Sequence, residues 1–300
     1  MERSWGRAKG AFAAVFAPPA LFLLAFFLVP MGIVWAFSFG ENAGLTAIAV
    51  TGTLDNYARA LSPLYLGILW KSAWIAALTT LGCLVLGLPA AVAIAFARGR
   101  AKAWLLVLVM LPFWTNLLIR TYALIAVLRE EGLANQTLKG LWSLLAWALA
   151  GAGLHPPPFQ ALELLHNNTA VVIGLVYVHL PFMVLPVYAS LERMDRSLLE
   201  ASLDLGAGPW RALWDVAVPL AMPGIASGVL ITFVPAAGDF LTPDLLGGTR
   251  SQMIANVIER QFKRANDWPF GAALSFLLMY LTFAAVAGRA LMAGRKAARR

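Results

Sequence analysis

The sequence predicts an all-α integral membrane protein: six transmembrane helices, with a short polar helical segment at one face. Composition, run length and charge placement carry that expectation. Of 300 residues, 60% are hydrophobic and only 13% are charged, with a mean hydropathy of +0.75. A soluble domain needs about 25% charged residues to face water. Apolar runs recur near the roughly 20 residues that cross a bilayer core. The basic residues sit beside those runs, at "MERSWGRAKG", "ARGRAK" and "GRKAARR", the placement of cytoplasmic loops. The net charge of +8 therefore follows membrane topology and does not argue for nucleic acid. Cys83 stands alone in an apolar run, which excludes an internal disulfide and leaves the compartment open.

In chain order, the spans are expected at about 16–38, 69–97, 104–128, 169–191, 219–243 and 268–289, within one transmembrane domain over 1–300. The first apolar run is long and proline-interrupted, with no small-residue cleavage site, so it reads as a retained helix and not a signal peptide. An even number of spans puts both termini on one side. That side then holds 14 Lys/Arg and 6 Asp/Glu, against 9 and 9 elsewhere, so both termini are expected in the cytoplasm.

Three segments face outward under this topology. Residues 39–68 contain "TLDNYARAL", a short helix with Thr53 or Asp55 as its cap. Residues 129–168 contain a Gly-terminated apolar stretch at about 138–154. It reads as an interfacial helix, because a seventh span would invert the charge pattern downstream. Residues 244–267 begin polar and Gly-rich.

The cytoplasmic 192–218 loop is the informative departure from this apolar background. Ser197 and Glu200 have capping-box spacing, predicting a helix over Leu198–Leu205. Gly206 suits the left-handed residue that ends it. Pro209 suits the first turn of a second helix, which Pro219 closes. Trp210, Leu213, Trp214 and Ala217 fall at i, i+3, i+4 and i+7 on one stripe, and Arg211 and Asp215 pair at i, i+4. Such a helix–Gly–helix unit suits a groove in another protein or a lipid surface. The acids Glu200, Asp204 and Asp215 against Arg211 favour the protein partner.

These residues resemble the EAA loop of ABC-importer permeases, carried by Glu200, Ala201, Ser202, Gly206, Val216, Val218 and Pro219. Ser202, Val216 and Val218 depart mildly from the Ala, Ile and Leu of that pattern. The resemblance implies a type I importer permease bundle whose loop is a coupling helix seated in a cytoplasmic ATPase. No phosphate-binding Gly-x-x-x-x-Gly-Lys-Ser/Thr loop is present. ATP and Mg are therefore expected on a partner ATPase dimer, with no cofactor and no catalytic residue in this chain. "TLDNYARAL", "LPFWTNLLIRTYAL", "VVIGLVYVHLPFMVLPVYASLERMD", "TPDLLGG" and "DWPFGAALS" extend the likeness over most of the chain, to the spermidine/putrescine permeases of the PotB/PotH type. That likeness implies a second homologous permease subunit, a periplasmic solute-binding protein and polyamine transport across the inner membrane.

Ionisable groups inside spans are costly and often functional. Asp239, at the outer end of the fifth span, is a candidate for attracting a polyamine cation, with Trp114 and Tyr122 as cation-favouring aromatic faces and Asn116 beside them. Equally, Asp239 reads as a helix-end acid that meets water or caps the next turn. Arg120 reads as half of a gating ion pair or, preferentially, as snorkelling to the outer interface. Gly224 and Gly228 form a GxxxG suited to close helix packing. Pro181, Pro186, Pro219, Pro223 and Pro235 should bend the fourth and fifth spans. His155, His166 and His179 lack ligand spacing, so no metal site is expected.

The expected function is thus the membrane subunit of an ATP-driven polyamine importer working by alternating access. The alternatives are the same architecture carrying a phosphonate, an amino acid derivative or another small solute, and, more distantly, a membrane-embedded enzyme. Against the enzyme stand the absence of HExxH, of a Ser/His/Asp arrangement and of an acidic metal cluster.

Overall fold

The computed structural model describes residues 9–44, 47–151, 157–249 and 251–297. The sequence readings placed on Arg3, Arg7, His155, Arg299 and Arg300 lie outside these residues.

The chain begins with α1 (Lys9–Leu23), which passes through a π-helical turn at Leu24–Leu28 into α2 (Val29–Phe37). The wider turn lies just ahead of Pro30, a residue with no N–H to give the ladder. A minimal hairpin follows, β1 (Glu41–Asn42) and β2 (Ile48–Ala49), antiparallel with Glu41 opposite Ala49. In α3 (Asp55–Ala60) the Asp55 N–H donates to Thr53 Oγ1 at 3.1 Å, so Thr53 closes the helix start. Then come α4 (Pro63–Phe96), α5 (Arg100–Met110), a 3₁₀ turn at Leu111–Trp114, α6 (Leu117–Leu128) and α7 (Leu133–Gly151). Next are α8 (Asn168–Glu192), α9 (Arg196–Asp204), α10 (Pro209–Ala212), a second π turn at Leu213–Ala217 and α11 (Val218–Leu220). The chain finishes with α12 (Met222–Gly238), α13 (Leu241–Leu246), α14 (Ile254–Lys263) and α15 (Trp268–Ala297).

Phe12–Phe37, Pro63–Phe96, Asn168–Glu192 and Trp268–Gly288 are each long and apolar enough to cross a membrane. Two bent pairs raise the number to six if each is one span: Arg100–Trp114 with Leu117–Gly151, bent by 97°, and Pro209–Leu220 with Met222–Gly238, bent by 66°.

The bends correct two sequence expectations. The region 104–128 is not one helix. Pro112 removes a ladder donor, Leu111–Trp114 tightens, and Thr115 is extended at φ −84°, ψ 146°. Asn116 then caps α6 by accepting the Leu118 N–H at 2.8 Å. The stretch expected at 138–154 as a separate interfacial helix starts earlier, at Leu133, and belongs to this bent pair. The helix expected over 219–243 runs from Met222 to Gly238.

The chain gathers into two compact units, residues up to 66 together with those from 257, and residues 67–256. In the first, α3 is fastened to the start of α15. Arg59 pairs with Asp267 at 2.9 Å and lies 3.7 Å above the Phe270 ring. Trp35 Nε1 donates to Tyr280 Oη at 2.9 Å further along α15.

The second unit is built on α8. Gly82 and Gly87 let α4 approach it: a Cβ on Gly82 would meet Val176 Cγ2 at 2.8 Å, and one on Gly87 would meet Met183 Cγ at 3.0 Å. On another side of α8 sits α12. A Cβ on Gly224 would stand 2.5 Å from both the Pro186 oxygen and Ser190 Cβ, and one on Gly228 2.8 Å from Met183 Sδ. The GxxxG therefore packs within this chain. Small residues are what allow helix backbones this close where lipid supplies no hydrophobic drive. Cys83, Ile94, Met183, Val187, Leu191 and Ala217 fill the shared core, which joins α4, α8 and the segment entering α12.

Candidate functional site

The EAA-patterned segment starts at Asp195. Its carboxylate accepts the Ser197 N–H at 3.0 Å, and that amide with the Ser197 hydroxyl holds the carboxyl below its ordinary range. Asp195 thus performs the capping role expected of Ser197, because the chain is extended at Asp195 (ψ 114°) and helical from Arg196. The available signal was the Asp-x-Ser spacing, since Asp, Asn and Ser are near-equal N-caps.

The end of α9 follows the sequence expectation. Gly206 has φ +87°, the Ala207 N–H donates to the Ser202 oxygen at 3.0 Å and the Gly206 N–H to the Leu203 oxygen at 2.9 Å. This 6→1 closure is the Schellman arrangement, for which a residue without Cβ is best suited. Pro209 opens α10.

The second helix departs from expectation. The four-residue stripe separates: Ala217 is buried and Leu213 packs against the core, whereas Trp210 is 73% exposed and Trp214 is also exposed. A π turn at Leu213–Ala217 adds a residue that rotates the later side chains off an ideal 3.6 period. The same turn carries the helix through Pro219, which does not end it; the bend falls at Ala221 (ψ −5°). Trp210 and Trp214 meet edge to face, centroids 6.4 Å apart. Arg211 Nε pairs with Asp215 at 3.2 Å in the open, where such pairs contribute little.

The result is a helix–Gly–helix unit with a buried inner side and an exposed outer side that carries large apolar residues beside charged ones. Ala212 and Ala217 face in; Leu203, Leu205 and Trp210 face out. Glu200, Ala201, Gly206 and Pro219 are exposed, while Ser202, Val216 and Val218 are half-buried. Two tethers fix its base: Arg196 Nη2 donates to the Ala95 oxygen at 3.2 Å, and Lys102 pairs with Glu192 at 2.5 Å. A cleft of about 370 Å³ opens between the end of α4 and this unit, lined by Phe96, Arg98, Arg196, Glu200 and Leu213.

The pathway candidates group at the helix breaks of the second unit. Asp239 stands where α12 ends, half-buried. Its carboxylate accepts the Leu241 and Thr242 N–H groups at 2.9 and 3.1 Å and the Thr242 hydroxyl at 2.9 Å, so it caps α13. Asn116 spends its side-chain oxygen as the cap of α6. Trp114 is 75% and Tyr122 58% exposed.

Arg120 does not snorkel. It is 7% exposed, its Nη2 donates to the Thr115 backbone oxygen at 2.9 Å, and its guanidinium lies 6.0 Å from the Tyr177 ring. The break leaves a carbonyl with no helical partner, and Arg120, five residues on, is long enough to reach it. His179 is buried on α8 with Nδ1 2.9 Å from the Leu175 oxygen, one turn earlier. His166 lies apart at φ 59°, its N–H on the Leu246 oxygen.

Helices long and apolar enough to cross a membrane, a glycine-packed seam and an exposed helix pair closed at Gly206 are the features to be set beside known proteins. Residues 83–293 match the family described as "Binding-protein-dependent transport system inner membrane component". The chain belongs to that family, and is a multi-pass inner-membrane permease subunit rather than an enzyme. Among its relatives, the spermidine/putrescine transport system permease protein PotB of Escherichia coli (strain K12) is 41% identical over 256 residues, 85% of this chain and 88% of that protein. PotB of Haemophilus influenzae is 38% identical over 259 residues, 86% of each. The crystal structure of a bacterial alginate ABC transporter, solved with an alginate pentasaccharide-bound periplasmic protein, contains a chain of the same fold. Its TM-score is 0.72, at 17% identity and over 98% of both chains. The fold is that of type I ABC importer permeases.

Proposed function

We propose that this permease carries polyamines, spermidine or putrescine, inward across the inner membrane as one of two paired membrane subunits. A periplasmic binding protein delivers the solute, and a cytoplasmic ATPase dimer binds ATP and Mg. The segment from Arg196 to Leu220 is the coupling helix. Both termini are cytoplasmic. The observation that carries the reading is the EAA-patterned unit itself: an exposed helix pair, closed by Gly206, whose inner side joins the core that α12 enters. Movement of this unit is transmitted to α12, because Ala217, Ala221 and Ile225 share that one packed cluster. ATP binding closes the ATPase dimer, the unit follows, and the spans reopen outward. The identity to PotB proteins supports the solute assignment.

A buried cation at Arg120 favours a second reading, the same architecture carrying another small organic solute, because an unpaired arginine repels a cation. Uptake of labelled spermidine by vesicles holding the complete complex, in competition with unlabelled putrescine, a phosphonate and an amino acid, separates the two. Polyamine-competed uptake is the expected result. No polyamine uptake, or competition only by the other solutes, overturns the polyamine reading. The topology has its own test: a tag after Pro157 is expected to react from the periplasm and one after Arg295 from the cytoplasm. Both tags on one side would overturn it.

A further inference from the structure

Arg120 and Asp239 carry opposite charges on adjoining parts of one packed unit, and neither uses the other. Among the described residues no acid lies within ion-pair distance of Arg120, and no base within that distance of Asp239. Both are held by neutral groups: Arg120 by the Thr115 oxygen, Asp239 by the Leu241 and Thr242 donors. α8 connects them. Tyr177 on α8 is the ring beside Arg120. One turn earlier, a Cβ on Gly174 would meet Thr242 Cγ2 at 2.8 Å, and Thr242 is the residue bonded to Asp239.

A buried guanidinium without a counter-charge is expensive to retain. The five-donor fork of Arg120 makes one short bond here, with Thr115 Oγ1 only at 3.4 Å. Each charge also sits at a helix end, Arg120 in the first turn of α6 and Asp239 just after α12. Relative motion of α12 and α6 therefore changes their separation directly.

We propose that Arg120 and Asp239 form an ion pair in another state of the transport cycle, and that a cationic solute competes with Arg120 for Asp239. The first clause concerns the permease alone; the second rests on the polyamine reading. The structure captures the parted state. Arg120 is then a specificity-determining residue: its guanidinium occupies the carboxylate unless an ammonium of the solute displaces it.

The test uses the complete complex in proteoliposomes, with Arg120→Gln, Arg120→Lys, Asp239→Asn and the Arg120→Gln/Asp239→Asn double variant, each checked for assembly with the ATPase. Asp239→Asn is expected to raise the half-saturation constant for spermidine about tenfold. Arg120→Gln is expected to lower it several-fold, Arg120→Lys to stay near wild type, and the double variant to match Asp239→Asn alone. An Arg120→Gln effect that is absent, or equal in both Asp239 backgrounds, overturns the competition. The second arm needs no solute. Arg120→Cys/Asp239→Cys, on a Cys83→Ser background, is treated with a short bifunctional thiol reagent in nucleotide-free and ATP–vanadate-arrested complex. A cross-linking yield that differs at least threefold between the two is expected; equal yields overturn the ion pair. State-dependent cross-linking with no polyamine uptake by the wild type would retain the pair and reject the polyamine reading.

Discussion

The α8–α12 seam and the Arg196–Leu220 unit lie within one stretch of chain and use glycine for opposite ends. In the seam, Gly224 and Gly228 have no room: any side chain meets Pro186, Ser190 or Met183. In the unit, Gly206 has open space around it and is required only by its φ of +87°. The seam's glycines serve packing, and the unit's glycine serves backbone shape. The same contrast holds for large side chains. Met183, Val184 and Val187 in the seam are wholly buried, whereas Leu205 in the unit is 89% exposed. One region holds the subunit together, and the other leaves large apolar side chains exposed.

That contrast orders the expected effects of substitution. Gly224→Val should be the most damaging. A Cβ 2.5 Å from a backbone oxygen forces α12 off α8, and overpacking of this kind costs about 1–3 kcal/mol or more. The amount of monodisperse subunit extracted from membranes should fall at least tenfold. Gly140→Val, at a glycine with nothing within 4 Å, should leave it near wild type. Equal yields for the two variants would break the account of the seam.

Gly206→Val should come next. It places a β-branched residue in the left-handed region, at about 1–2 kcal/mol, without a clash. The subunit should still fold and insert, while solute-stimulated ATP hydrolysis drops severalfold to tenfold. Glu200→Lys, exposed on α9, should lower ATPase capture in the same direction. Normal capture and normal stimulated hydrolysis in both would remove the coupling role.

The smallest effect is expected for Trp210→Ala. The side chain is 73% exposed, so subunit stability should change by about 0.5 kcal/mol or less. Affinity for the ATPase should fall several-fold, as for an aromatic anchor at an interface. Unchanged ATPase affinity with weakened membrane retention would instead assign this face to lipid.

Several features were readable along the chain because their causes are local. Run length and hydropathy placed α8, the apolar part of α15 and the end of α4 within one residue, at 169–191, 268–289 and 97 against Asn168–Glu192, Trp268–Gly288 and Phe96, while α4 starts six residues earlier than expected, at Pro63. A helix must satisfy its own backbone in lipid, so a long apolar run has few other options. Gly206 and Pro209 were readable because a cap depends on the dihedral preferences of one residue.

Other features needed the folded chain. The Trp210–Ala217 periodicity did not predict that Leu213 would turn inward while Trp210 stayed out, because which side is buried was decided by the packing of Leu213, Ala217 and Ala221 with α4 and α8. Gly224 and Gly228 announced a close approach but not its partner. A sequence records that a side chain is missing, not which surface moves into the space. Arg120 shows the same limit most sharply. Spacing marks it as a charge within a span, yet its true partner is the Thr115 carbonyl. That oxygen became available only when Pro112 and the extended Thr115 broke the helix and turned it by 97°. Local preferences fixed where helices begin, end and bend. Which groups those bends bring face to face depends on distances through space, and only the packed structure determines them.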